Sequence, residues 1–172
     1  MEAEGTLQVI AEISIAFTGF AGIVGALAGA KLRPAHLHVW LPFWLMIEGG
    51  LGTLFAALFP MLPYHLGLPD PHVWSASSGF VVILIVCHIA FMSPRFIRAS
   101  QNPSWVRLPA FQIGQIGARS ALVIALVSQL LNALGVGLPQ SAGGFLIGLY
   151  CLLLVSGLNF TYLMFVLVRP ED

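Results

Sequence analysis

A carboxylate and a group of glycines lie together inside a hydrophobic run that extends from residue 40 to residue 62. The carboxylate is Glu48, and the glycines that follow it are Gly49, Gly50 and Gly52. An ionisable group within a bilayer costs about 2.5 kcal/mol or more, so Glu48 needs a partner or a water-filled cavity. Glycine has no side chain, which lets another helix, a ligand or an ion approach the backbone beside the carboxylate. The pattern predicts a polar site centred on Glu48.

Three other hydrophobic runs each carry one strongly polar side chain that is expected, like Glu48, in the cytoplasmic half of the bundle. These side chains are His88, Arg119 and Asn159. An ion pair between Arg119 and Glu48, with His88 and Asn159 as hydrogen-bonding neighbours, would satisfy all four groups. One interpretation is a buried network that specifies the fold. The other is a polar pathway in which Glu48 is an ion or proton site, His88 exchanges a proton and Arg119 supplies a fixed counter-charge.

Small residues form a stripe along the first hydrophobic run. The stripe consists of glycines three or four residues apart: Gly19, Gly22, Gly25 and Gly29. Such spacing permits close contact between membrane helices and predicts a homo-oligomer assembled through this helix. Glu12 continues the same face, either reaching the outer headgroups or supplying a charge at an outer vestibule.

The elements that position these residues are five hydrophobic runs. They cover approximately residues 7–30, 40–62, 73–92, 116–136 and 143–168. Each reaches the roughly 20 residues needed to cross a ~30 Å hydrocarbon core. Only 8% of the 172 residues are charged and 58% are hydrophobic, whereas a soluble domain carries about 25% charged residues. We therefore predict an all-α, polytopic integral membrane protein with one five-helix transmembrane domain over residues 1–172. Residues 93–111, rich in proline, are expected to form an interfacial loop or a short amphipathic piece.

Basic residues predict the orientation of the chain. The second and fourth loops contain no Lys or Arg. The basic residues of the first loop, the third loop and the tail are Lys31, Arg33, Arg95, Arg98, Arg107 and Arg169. Because cytoplasmic loops carry an excess of Lys and Arg, we expect an outside N-terminus and a cytoplasmic C-terminus in a membrane of the bacterial inner type.

Several classes of function lack support in the sequence. The formal net charge is zero, so no basic surface for nucleic acid is expected. His65, Asp70 and His72 do not have the spacing of a zinc site, and a haem-ligand pair at one depth is not evident. No catalytic motif is present. We expect neither a metal nor another cofactor.

Three hypotheses for the function follow. The leading hypothesis is a small channel or permeation subunit for an ion or small solute, with Glu48 as its principal site. The alternative is a non-catalytic membrane scaffold or accessory subunit of a larger complex. The third is a redox or lipid-modifying membrane protein with a bound cofactor. The expected partners are the lipid bilayer, other copies of the chain and another membrane protein.

Overall fold

The described part of the protein is a bundle of α-helices. A computed structural model describes residues 3–28, 37–100, 109–137 and 140–168. Its helices are α1 (Glu4–Ala28), α2 (Leu37–Leu58), α3 (Met61–His65), α4 (Asp70–Ser100), α5 (Pro109–Leu134) and α6 (Ala142–Val168). All of these except α3 are long and apolar enough to cross a membrane, and no strand occurs in the described ranges. The five-span, all-α class is thereby confirmed.

Several helix boundaries differ from those expected from hydropathy. Helix α5 begins at Pro109 rather than near residue 116, inside the expected loop, and two further differences also involve proline. The second hydrophobic run is divided, because α2 ends at Leu58 and the short α3 begins after Pro60. Proline lacks a backbone N–H and disfavours helical geometry in the residue before it, so it interrupts the helix here. By contrast, α4 continues past Met92 to Ser100 with Pro94 inside it, where a loop was expected. Membrane helices tolerate an internal proline when neighbouring groups satisfy the freed backbone atoms.

The long helices pack in the spatial order α1, α2, α6, α5 and α4. Helix α6 is the middle element and contacts each of the other four long helices, whereas α2 contacts α1, α6 and α4. Between α2 and α4 lies a cavity of about 890 Å³. We call this space the α2–α4 cavity.

Buried apolar side chains form two clusters. The larger cluster joins α1, α2, α4, α5 and α6 and includes Leu7, Ile85, Phe145 and Leu149. The smaller cluster includes Ala21 and Met46. Because lipid tails are as apolar as these side chains, close packing rather than exclusion of water holds such helices together.

Candidate functional site

The candidate site is a contact between α2 and α4. Glu48 Oε1 lies 3.2 Å from His88 Nδ1, and the two side chains are 30% and 20% exposed. The second carboxylate oxygen, Glu48 Oε2, is buried and has no hydrogen-bond partner among the described residues. Buried polar atoms almost always have a partner, so this carboxylate oxygen is an unusual, unsatisfied acceptor.

Glu48 and His88 lie near the middle of their helices. Glu48 follows the start of α2 at Leu37 by about 16 Å, and His88 precedes the end of α4 at Ser100 by about 18 Å, at 1.5 Å per residue. Both residues also line the α2–α4 cavity. Most of that cavity is bounded by apolar side chains, among them Leu84, Ile85 and Phe91. The site therefore combines one acid–imidazole contact with a predominantly apolar space.

Arg119 and Asn159 lie on the other side of His88. Together with His88 they line a second cavity, of about 470 Å³, between α4, α5 and α6. In the described residues the partner of Glu48 is thus His88 rather than Arg119, which differs from the expected arrangement. Asn159 is buried, and its amide donates to Val155 O of its own helix at 2.9 Å. His88 lines both cavities, as do Leu45, Leu122 and Val155.

The three glycines after Glu48 have different surroundings. A Cβ atom at Gly49 would lie 2.7 Å from Ser156 Oγ on α6, and one at Gly50 would collide with Thr18 Oγ1 on α1. These two positions let the neighbouring helices approach α2 closely. Gly52 differs, because a Cβ there would meet nothing within 4 Å, and the residue lines the α2–α4 cavity.

The residues singled out on α1 lie away from this site. Glu12 is exposed and accepts a hydrogen bond from Gln8 Nε2 of the same helix at 3.0 Å. Gly19 and Gly22 are also exposed, and a Cβ at either would meet nothing within 4 Å. Gly25 is half-buried, and Gly29 lies outside the described residues. Gly19 and Gly22 are therefore the members of the stripe that the described structure leaves open to another molecule.

A second polar network, which the sequence reasoning missed, joins α4, α5 and α6. Asn132 Nδ2 donates to Ser78 Oγ at 2.8 Å and to Ser141 O at 3.2 Å, and Asn132 Oδ1 accepts from Ser141 N at 3.0 Å. Gln129 Nε2 donates to Phe145 O at 2.9 Å. Both amides are buried.

A signal for this network exists in the sequence. Gln129 and Asn132 are three residues apart and hence share a helix face. Gly144 and Gly148 of α6 lie against them, since a Cβ at either position would collide with an amide side chain. Two amides at helical spacing, followed by a run with two glycines four apart, indicate a close helix pair joined by hydrogen bonds.

Comparisons with known proteins give one local likeness. No protein-family model matches the chain. The chain is 36% identical over 87 residues to NADH-quinone oxidoreductase subunit M of Rhodobacter capsulatus. That stretch covers 45% of this chain and only 15% of that subunit. No solved structure matches.

The described residues also bear on metal binding. In residues 3–28, 37–100, 109–137 and 140–168, no group of three His, Cys, Asp or Glu side chains is close enough together to hold a metal ion. The candidate site itself brings together a carboxylate and an imidazole. These two groups can pass a proton between Glu48 and His88.

Proposed function

We propose that the protein is a non-catalytic membrane subunit of a larger multi-subunit complex. The observation that carries this proposal is the likeness of 87 residues to a protein named as a subunit of NADH-quinone oxidoreductase. That relative also favours a bacterial inner membrane, with the N-terminus outside as the basic loops indicate. In this role the chain contributes packing surfaces, and a partner contributes the activity.

The exposed face of α1 supports this assignment. Gly19 and Gly22 leave the backbone of α1 exposed on a helix long enough to cross the membrane. A second membrane helix can pack closely against such a surface. Glu12 lies on an exposed part of the same span. A carboxylate that faces lipid costs about 2.5–3.5 kcal/mol near the centre of a helix, and a hydrogen-bond donor on a partner would remove much of this cost. The face suits either a partner subunit or a second copy of the chain.

The test is purification of the tagged chain, expressed at its natural level, in a mild detergent. We expect an assembly heavier than a monomer, containing at least one other membrane protein in fixed ratio. Gly19→Leu combined with Gly22→Leu should release the chain from the assembly. Gly79→Leu is the matched control, because a Cβ there also meets nothing within 4 Å but lies on α4. A monomer in the unaltered strain would contradict the proposal, and an assembly of this chain alone would replace it by a homo-oligomer.

A channel or permeation unit for an ion is the second candidate function. The observation that favours it is the contact between Glu48 and His88, with an unpartnered carboxylate oxygen, beside cavities on both sides of His88. Arg119 would act there as counter-charge. Proton flux into liposomes that contain only this chain, and its loss in Glu48→Gln, is the expected result for this candidate. Flux equal to that of protein-free liposomes would reject it and leave the subunit role.

A further inference from the structure

The cavity between α4, α5 and α6 carries an arginine on a helix long enough to cross the membrane. Its volume is about 470 Å³, and we call it the Arg119 cavity. Arg119 is exposed at the wall of this cavity, so its guanidinium is open to whatever surrounds the bundle. A cation in hydrocarbon is costly unless an anion or a water-filled space accompanies it. The Arg119 cavity is therefore a place where the bundle can attract an anion.

Arg119 lies close to one end of the apolar spans. The span of α5 begins at Gly114, which Arg119 follows by about 7.5 Å, at ~1.5 Å per residue. The span of α4 ends on the same side of the bundle, at Arg95, two residues after Ser93 of the cavity wall. Arginine carries its charge on a long stem and extends it toward the headgroups when it lies near a helix end. The guanidinium is thus at the depth of the lipid phosphates of one leaflet.

The wall around Arg119 changes from polar to apolar with depth. Gln115 lies one helical turn from Arg119 toward the end of the α5 span, and Ser93 lies near the end of the α4 span. Both side chains carry hydrogen-bond donors. Val123, one turn deeper than Arg119, is 60% exposed, and Ile89 on α4 is 39% exposed. A matching ligand has acceptor oxygens at its outer end and a hydrocarbon chain at its inner end.

Charge and shape together select an anionic phospholipid. A hydrocarbon chain or an alcohol would bring no negative charge to the guanidinium, and a soluble anion would have no chain to place against Val123 and Ile89. Phosphate oxygens match the planar guanidinium, which binds them through two parallel hydrogen bonds. A zwitterionic headgroup offers the same phosphate, but its ammonium group would bring a second positive charge close to Arg119.

The other polar groups of the wall are engaged within the bundle. His88 contacts Glu48, and Asn159 donates to Val155 O of its own helix. A guanidinium has five N–H donors, so Arg119 can bind a phosphate beside any contact within the chain. We propose that the Arg119 cavity binds an anionic phospholipid, whose phosphate accepts hydrogen bonds from Arg119 and whose acyl chain lies along α4 and α5. This proposal does not depend on the subunit role.

The experiment measures lipid binding to the purified, delipidated full chain by native mass spectrometry. Phosphatidylglycerol should bind roughly tenfold more tightly than phosphatidylcholine with identical acyl chains, because hydrogen bonds between two charged groups are the stronger kind. Arg119→Gln should lower the affinity for phosphatidylglycerol about tenfold, to that for phosphatidylcholine. Arg95→Gln is the matched control. It removes the same charge near the same end of the bundle, but Arg95 contacts Phe91 and is not among the residues that line the cavity, so the preference should persist.

Two further measurements keep the test independent of that one variant. Arg119→Lys retains the charge and loses the planar fork, so it should keep part of the preference. A phosphatidylglycerol with a diazirine in its acyl chain should crosslink the unaltered protein at α4 and α5. Equal affinities of the unaltered protein for the two lipids, or a preference that survives Arg119→Gln and not Arg95→Gln, would overturn the role of Arg119. Crosslinks confined to α1 or α2 would overturn the site, and displacement of the lipid by soluble glycerol phosphate at equal concentration would overturn the choice of a lipid.

Discussion

Replacing Gly50 by alanine tests the close approach of α1 to α2. A Cβ atom at Gly50 would collide with Thr18 Oγ1 and would lie 3.2 Å from Ser14 O. Thr18 Oγ1 itself donates to Ser14 O at 2.9 Å, so moving the hydroxyl aside breaks a hydrogen bond. The backbone oxygen cannot rotate away, and α1 must therefore shift as a whole. We expect Gly50→Ala to destabilise the bundle.

The size of the effect follows from a comparison with Gly52→Ala on the same helix. Both substitutions gain about 1 kcal/mol from the higher helix propensity of alanine. Only Gly50→Ala adds an overpacking cost, which is typically about 1–3 kcal/mol, because Gly52 has open space around its Cβ position. The free energies of unfolding of the two variants should therefore differ by about 1–3 kcal/mol, with Gly52→Ala the more stable. Because both variants gain the same helix propensity, this gain cancels when their free energies of unfolding are subtracted.

Reversible unfolding in mixed micelles, followed by the loss of helical circular dichroism, measures this difference. The unaltered protein should lie between the two variants or close to Gly50→Ala. Equal stability of Gly50→Ala and Gly52→Ala, or a more stable Gly50→Ala, would show that α1 and α2 are not in close contact at Gly50. A double variant that also carries Thr18→Ala is a useful control, since it removes the colliding hydroxyl and should restore part of the lost stability.

Three further predictions concern the polar contacts. Asn132→Leu should lower the free energy of unfolding by about 2 kcal/mol, because it removes hydrogen bonds between helices. Asn159→Leu should lower it by less than about 1 kcal/mol, because Asn159 donates within its own helix, and equal losses for the two variants would contradict this prediction. A double-mutant cycle of Glu48→Gln and His88→Gln should give a coupling of about 1 kcal/mol in the free energy of unfolding. Additive effects of the two substitutions would show that the side chains are not in contact. Gly148→Ala should lower the unfolding midpoint, since its Cβ would collide with a buried amide of α5, and an unchanged midpoint would argue against the α5–α6 contact.

The sequence was sufficient for the fold class, and it supplied an expected depth for each polar side chain. Hydrophobic runs of about 20 residues define membrane spans by length alone, and counting along a run at 1.5 Å per residue gives the depth of Glu48 or His88. The partner of Glu48 needed more than depth. Successive residues of a helix point about 100° apart, so the rotation of each helix decides which of two equally deep groups meets Glu48. That rotation brings His88 rather than Arg119 to the carboxylate.

The amide network was harder to predict for a different reason. Gln129 and Asn132 are uncharged and lie inside a run that is apolar on average. Neither therefore carries the large free-energy cost of an ionisable group in the membrane, which is the feature that identified Glu48. Their role depends on Gly144 and Gly148 of the next helix, which leave space for the amides. The extension of α4 beyond Pro94 was hidden by the rule that proline ends helices, which holds less strictly in membranes.

The three helices that surround α2 explain why a carboxylate and glycines occur together in it. Glu48 faces α4 through His88, Gly49 faces α6 at Ser156, and Gly50 faces α1 at Thr18. Three successive residues, each about 100° further around the helix, thus serve three different neighbours. Gly52 is four residues after Glu48 and returns to the same face, where it lines the α2–α4 cavity. Two of the glycines therefore bring helices together, while the third helps to keep space open beside the carboxylate, and the substitutions proposed above separate these two roles.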